Sequence, residues 1–167
     1  ATLGKEINTI TEILLQNPVK IEVKEDLKHI DLIQQIAYDV AEERKGPMLR
    51  YLIQEKNMQQ VLVFTSSIHR ADAVVEKLKT HGISAAAMHS KKSQGARTDA
   101  LKNFKLGAVK VLVATDLASR GIDIDALPFV INYELPRSPK DYIHRIGRTG
   151  RAASSGTAIS LIGPDEQ

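Results

Sequence analysis

Three arginines at intervals of three, Arg145, Arg148 and Arg151, are the residues in this sequence best suited to hold phosphate. His144 precedes the first of them, and Gly147 and Gly150 punctuate the run. The glycines release the chain from a helical pattern into a tight turn, where fixed guanidinium forks can grip phosphate oxygens in pairs. A lone Arg-x-x-Arg reads as a solvated basic loop, or as arginines paired to acids elsewhere. Three arginines beside a histidine, with no acid among them, point to an anion instead. A second candidate is Ala114-Thr115-Asp116-Leu117-Ala118-Ser119-Arg120-Gly121-Ile122-Asp123, directly after an apolar run. Gly121 lets backbone approach a ligand, and Asp123 can accept hydrogen bonds from hydroxyls such as those of a ribose. Read plainly, the same two residues serve as a turn glycine and a turn cap. A third candidate, Gln94-Gly95-Ala96-Arg97, lies in the first turns of a helix beginning near Ser93, where free N–H groups and positive potential suit phosphate. A charged, solvent-facing helix is the plain alternative.

The elements that must position these residues alternate between strand and helix. An apolar stretch in Leu32–Val40 predicts a strand, and Glu42–Lys56, with Met48, Leu49, Leu52 and Ile53 at helical spacing, predicts a helix. Val61–Phe64, Ile83–Met88, Val109–Ala114, Phe129–Asn132 and Thr157–Ile162 are short apolar runs of the kind found in buried strands. Helices are expected over 70–81, capped by Gly82, and over 93–106, stopped by Gly107. Another opens at Ser138-Pro139, with serine as N-cap and proline at the first position, and stops at Gly147. This alternation predicts an α/β fold with a mainly parallel sheet and helices on both faces. Ligands of such folds bind at the carboxyl ends of the strands, after Phe64, Met88, Ala114 and Asn132.

Composition sets outer bounds. The 167 residues suffice for one domain with a sizeable core, and 43% hydrophobic with 26% charged residues is an ordinary globular balance. No apolar run approaches the roughly 18 residues that span a bilayer. Cysteine is absent, which excludes disulfides, thiolate metal ligands and thiol nucleophiles. A cytoplasmic protein is the expectation, and a start without Met suggests a chain cut from something longer. Net charge is +3 with a pI near 9.1. The excess is concentrated: Lys91, Lys92, Arg97, Lys102, Lys105 and Lys110 stand against the single acid Asp99.

Taken together, these segments resemble the DEAD-box family of RNA helicases. His144–Arg151 looks like helicase motif VI, Ala114–Asp123 like motif V, Val61–Ser67 like motif IV, and Gln94–Arg97 like the Gln-x-x-Arg element. The resemblance covers essentially the whole chain in order and spacing. Ser93–Thr98 and Ile131–Pro136 look most like the bacterial RhlE branch. The fold so implied is the C-terminal, three-layer RecA-like domain of the P-loop NTPase type. On its own, the N-terminal stretch reads as part of the same domain. It has a helical pattern over Gly4–Gln16, with Ile7, Ile10, Ile13 and Leu14 in stripe, and an alternating run over 19–23. The resemblance makes residues 1–23 the tail of a first RecA-like domain, from motif III, makes 24–30 a linker, and makes 31–167 the second domain.

By the same resemblance, Arg148 and Arg151 would act as catalytic arginine fingers on the ATP γ-phosphate. Gly121 and Asp123 would contact the ribose side of the nucleotide. His144 and Arg145 would couple the two domains, with Phe64 packing against Arg145. Ser66, Ser67, His69, Gln94, Arg97 and Thr115 would line the RNA backbone, fixing register without a base code. The implied partners are RNA and the first domain of the same protein, and the implied cofactors are ATP and Mg²⁺, the metal held by that other domain. No metal site is expected in this chain. Two departures weaken the pattern: His89-Ser90-Lys91 stands where the family has His-Gly-Asp or His-Gly-Asn, and Ile68-His69 where it often has Lys-Arg or Lys-His. The sequence contains neither a Gly-x-x-x-x-Gly-Lys-Ser/Thr loop nor Asp-Glu-Ala-Asp. The chain by itself is therefore expected to bind nucleotide weakly and to hydrolyse none. The alternatives are a stand-alone RNA-binding module and part of a superfamily 2 DNA helicase.

Overall fold

The computed structural model describes residues 13–16, 31–119, 124, 126–150 and 155–166. Six strands form one sheet: β1 (Ile33–Asp39), β2 (Val61–Thr65), β3 (Ala85–Met88), β4 (Val111–Thr115), β5 (Phe129–Asn132) and β6 (Gly156–Ile162). Their order is β1-β6-β5-β2-β4-β3, and every pairing is parallel. The helices are α1 (Lys45–Glu55), α2 (Ile68–Thr80), α3 (Gln94–Lys105), α4 (Asp116–Ser119) and α5 (Pro139–Ile146). This is the expected α/β architecture.

The sheet is apolar on both faces because it is covered on both. Along β2, Val61 and Val63 pack with Leu49, Leu52 and Ile53 of α1 and with Ala71, Val74, Val75 and Leu78 of α2. The intervening Leu62 and Phe64 pack on the opposite face with Ala100 and Phe104 of α3 and Ala118 of α4. The same alternation divides Val111 and Val113 from Leu112 and Ala114 in β4. In β6, Ile159 and Leu161 join the first face, while Ala158 joins Ile33 and Ile146 of α5 on the second. Crossovers running one way along the sheet therefore lie on one face and those running back lie on the other, as right-handed connections require.

Helix ends follow their residue chemistry. Ser67 caps α2 by accepting from the Arg70 N–H at 3.1 Å, so this helix begins at Ile68, ahead of the expected Arg70. Gly82 adopts φ +73° beyond its C-terminus; its N–H reaches Lys79 O and that of Ile83 reaches Leu78 O, a paired closure that favours glycine. A 3₁₀ turn at Glu42–Arg44 precedes α1, and a second closes the chain at Pro164–Glu166. The short helix α4 was not expected from sequence. Only Ile13, Leu14, Leu15 and Gln16 of the N-terminal stretch are described, with the three apolar side chains 75%, 72% and 54% exposed. The remaining expectations for residues 1–30 lie outside the described residues.

Candidate functional site

The helix α5 is fixed at its start by Ser138, whose hydroxyl accepts from the Asp141 N–H at 3.1 Å and donates to Asp141 Oδ2 at 2.8 Å. At its end stands Arg145, 2% exposed. Arg145 Nε and Nη2 donate to the two carboxylate oxygens of Asp116 at 2.6 and 2.8 Å. Arg145 Nη1 donates to Asn132 Oδ1 at 3.2 Å and to Glu134 O at 2.7 Å. The guanidinium carbon lies 5.1 Å from the centroid of the Phe64 ring. One side chain thus ties together the residues that end or follow β2, β4 and β5. An unpaired guanidinium could not be buried there; the fork geometry and ring face explain why this one can.

From this anchor the chain turns. Arg148 N donates to Arg145 O at 3.2 Å, and Leu127 N donates to Arg148 O at 3.0 Å. The buried Thr149 hydroxyl donates to Leu127 O, and Gly150 adopts φ +67°. A side chain at Gly156 would overlap the Thr149 hydroxyl and come within 2.7 Å of Gly150 N, so glycine is required where β6 starts beneath the turn. The backbone bearing Arg148 is therefore held from three sides, and Arg148 itself is partly exposed, as is His144. Arg151, Gly121 and Asp123 lie outside the described residues.

Ser66 and Ser67 follow β2, Thr115 ends β4, and Gln94 and Arg97 occupy the first turn of α3, next to the carboxyl end of β3. These positions share one edge of the sheet, since all strands are parallel. Ser66 donates twice to Glu134 Oε2, from its N–H and from its hydroxyl, both at 2.8 Å. Arg70 bridges Glu134 Oε1 at 3.3 Å and Glu42 Oε1 at 2.7 Å. Arg97 Nη1 donates to Gln94 Oε1 at 3.3 Å, while its buried Nε has no partner. His69 is exposed on the first turn of α2. His89, 1% exposed, directs Nε2 to Asp72 Oδ1 at 3.1 Å, and Lys92 reaches the same oxygen at 3.0 Å. The hydrogen bond with His89, helped by Lys92, holds the Asp72 carboxyl below the ordinary value of 3.8 against the opposing effect of burial. Where Ser90 and Lys91 replace the resembled family's residues, both side chains are exposed. Among the described residues no group of three or more His, Asp or Glu side chains could hold a metal ion.

Asp116, Asn132 and Glu134 are the residues that sequence reasoning did not single out for a role. Each sits just at or beyond a strand's carboxyl end, which is the signal that could have found them.

The family model for the helicase conserved C-terminal domain matches residues 44–153. The chain belongs to that family. The DEAD-box ATP-dependent RNA helicase CshA of Bacillus licheniformis is 38% identical over 167 residues, covering all of this chain and 34% of the relative. Among solved structures, the DEAD-box protein SrmB of E. coli, bound to regulator of ribonuclease activity A, matches with TM-score 0.72 and 38% identity over 78% of this chain and 76% of that one. The C-terminal domain of the DEAD-box protein Dbp5 matches with TM-score 0.74 and 32% identity over 82% and 80%. The chain is thus a DEAD-box helicase C-terminal domain with a RecA-like fold. It spans about a third of the length of the curated relatives it matches.

Proposed function

We propose that this helicase C-terminal domain is one half of an ATP-dependent RNA helicase, supplying arginines to ATP hydrolysis and half of an RNA-backbone track for local duplex unwinding. The observation that carries the reading is the Arg145 anchor. It fixes the turn bearing Arg148 at the same sheet edge from which Ser66, Ser67, Gln94, Arg97 and Thr115 extend.

When bound, ATP supplies a γ-phosphoryl group for transfer to water. Arg148 is suited to the outer phosphate because its backbone is restrained while its side chain is partly exposed; Arg151, three residues on, is assigned the same role. A preorganised guanidinium of this kind stabilises charge as it develops. Gly121 and Asp123 are assigned to the ribose. Mg²⁺ would be held by acids of a first domain, because this sequence contains no Asp-Glu-Ala-Asp. His144 and Arg145 act as couplers: Arg145 spends its donors within this domain, so it transmits position through α5.

Residues 1–23 are assigned to that first domain and 24–30 to the linker. Support comes from Ile13, Leu14 and Leu15, whose apolar side chains find little cover here. Ser93–Thr98 and Ile131–Pro136 favour the RhlE branch, and a cytoplasmic enzyme suits the cysteine-free composition. The test is ATP hydrolysis by the full-length protein with and without single-stranded RNA or DNA of one sequence. Stimulation by RNA and little by DNA is expected, whereas equal stimulation would support the DNA-helicase alternative.

A further inference from the structure

The strand β1 stands at one end of the sheet, and among the described strands it pairs only with β6. The strand at the other end, β3, is four residues long. By contrast β1 runs for seven and contains no proline, glycine or lysine to blunt its outer side. Val40 N–H turns inward to Ile162 O at 2.8 Å. Backbone groups alternate sides along a strand, so those of Gln35 and Ala37 turn outward, where they can pair with another chain.

A groove of about 440 Å³ opens at the carboxyl end of this strand. It is lined by Tyr38 and Val40, by Pro47, Met48 and Tyr51 of α1, and by Arg44. Arg44, Met48 and Tyr51 recur at intervals of four and three, so they form a stripe beside the one, Leu49, Leu52 and Ile53, that packs on the sheet. Tyr51 is 56% exposed. Neither tyrosine hydroxyl of the groove, nor the Arg44 guanidinium, has a hydrogen-bond or ion-pair partner among the described residues. Tyrosine, methionine and arginine are favoured at surfaces that bind other proteins, because they join a large contact area to a polar tip.

Charge decides what fits. Asp39 lines the same groove, and Glu43 adjoins Arg44 in the chain. A run of phosphates would meet these carboxylates as well as the guanidinium. A peptide can place one carboxylate on Arg44 and fill the rest of the groove with an apolar side chain.

We propose that the outer edge of β1 and this groove are a docking site for an extended segment of a partner protein. The segment adds as a strand beside Gln35 and Ala37, sets one large apolar side chain in the groove and places a nearby carboxylate on Arg44. The site shares no residue with those assigned to ATP and RNA, and it does not depend on those assignments.

The test is selection of a displayed library of random linear peptides on the full-length protein. Enriched sequences should pair a large apolar residue with an acid. A synthetic peptide of the enriched sequence should lose about tenfold or more in affinity on Tyr51→Ala, and as much on Arg44→Glu, the scale of an interface anchor. Changing the acid of the peptide to lysine should restore its binding to Arg44→Glu. Ala37→Pro removes one outward N–H while leaving the inward pairing intact, and it should weaken the peptide as well. RNA-stimulated ATP hydrolysis should be unchanged in all three variants, and peptide affinity should be unchanged by saturating single-stranded RNA. A library that yields no enriched sequence overturns the proposal. So does a peptide that binds all three variants within about twofold of the unaltered protein, well short of the loss of an anchor. Competitive displacement of the peptide by RNA also overturns it, since the groove would then be a nucleic-acid surface.

Discussion

Arg145 illustrates how one residue type decides what an edge of the sheet can do. Its fork engages Asp116 in two parallel hydrogen bonds, its remaining Nη1 bonds reach Asn132 and Glu134, and its plane faces Phe64. Lysine has one point charge and no plane, so it cannot reproduce this set. Removing the guanidinium leaves Asp116 without its main partner and opens a void against Phe64. Arg145→Ala should therefore destabilise the domain by about 3–5 kcal/mol, as expected for breaking a buried pair. Equilibrium urea unfolding measures this, and a loss below about 1 kcal/mol, the scale of an exposed pair, would show that the anchor is dispensable. From sequence, the resemblance assigned Arg145 to interdomain coupling and Phe64 to packing. Its actual hydrogen-bond partners were not legible, because Asp116, Asn132 and Glu134 converge only once three strands lie side by side.

The elements were legible to the extent that their cause is local. Apolar runs of four or five residues became fully covered strands, and Ser67, Ser93 and Ser138 each cap a helix by accepting a backbone N–H. The helix α4 escaped notice because four residues carry too little periodicity to register. The chain end escaped too. Glu166 receives the Gly163 N–H at 2.9 Å, the Leu135 N–H at 2.7 Å and the buried ammonium of Lys45, so the closing 3₁₀ turn is bound to α1 and to the segment after β5. Burial pushes the Glu166 carboxyl up, but these donors outweigh it and hold it below its ordinary value of 4.5. A depressed carboxylate contributes stability that is complete above the unfolded value and is lost as pH falls through the folded one. The unfolding midpoint should therefore drop as pH is lowered below about 4.5. In Glu166→Gln the drop across that window should be smaller, as followed by circular dichroism in urea. An identical pH profile in the variant would remove Glu166 from the account.

At the scale of the whole molecule, the parallel sheet brings every strand's carboxyl end to one edge, and that edge carries Ser66, Ser67, Thr115 and the Arg145 anchor with the turn bearing Arg148. On the proposed reading such an edge is half of a site, offering cations while the sequence contains no phosphate-cradling loop. The family follows from this chain, which spans about a third of the length of its curated relatives, and ATP hydrolysis by a longer protein is the proposal made above. On the proposed reading, the arginines of this domain complete the ATP site of another. Single-turnover ATP hydrolysis by the full-length protein with saturating RNA, comparing Arg151→Ala with the unaltered enzyme, tests it most directly. The predicted result is a fall of about 10³-fold or more with thermal stability and RNA affinity retained. Hydrolysis within about twofold of the unaltered rate, against the large loss expected for an arginine finger, would contradict it.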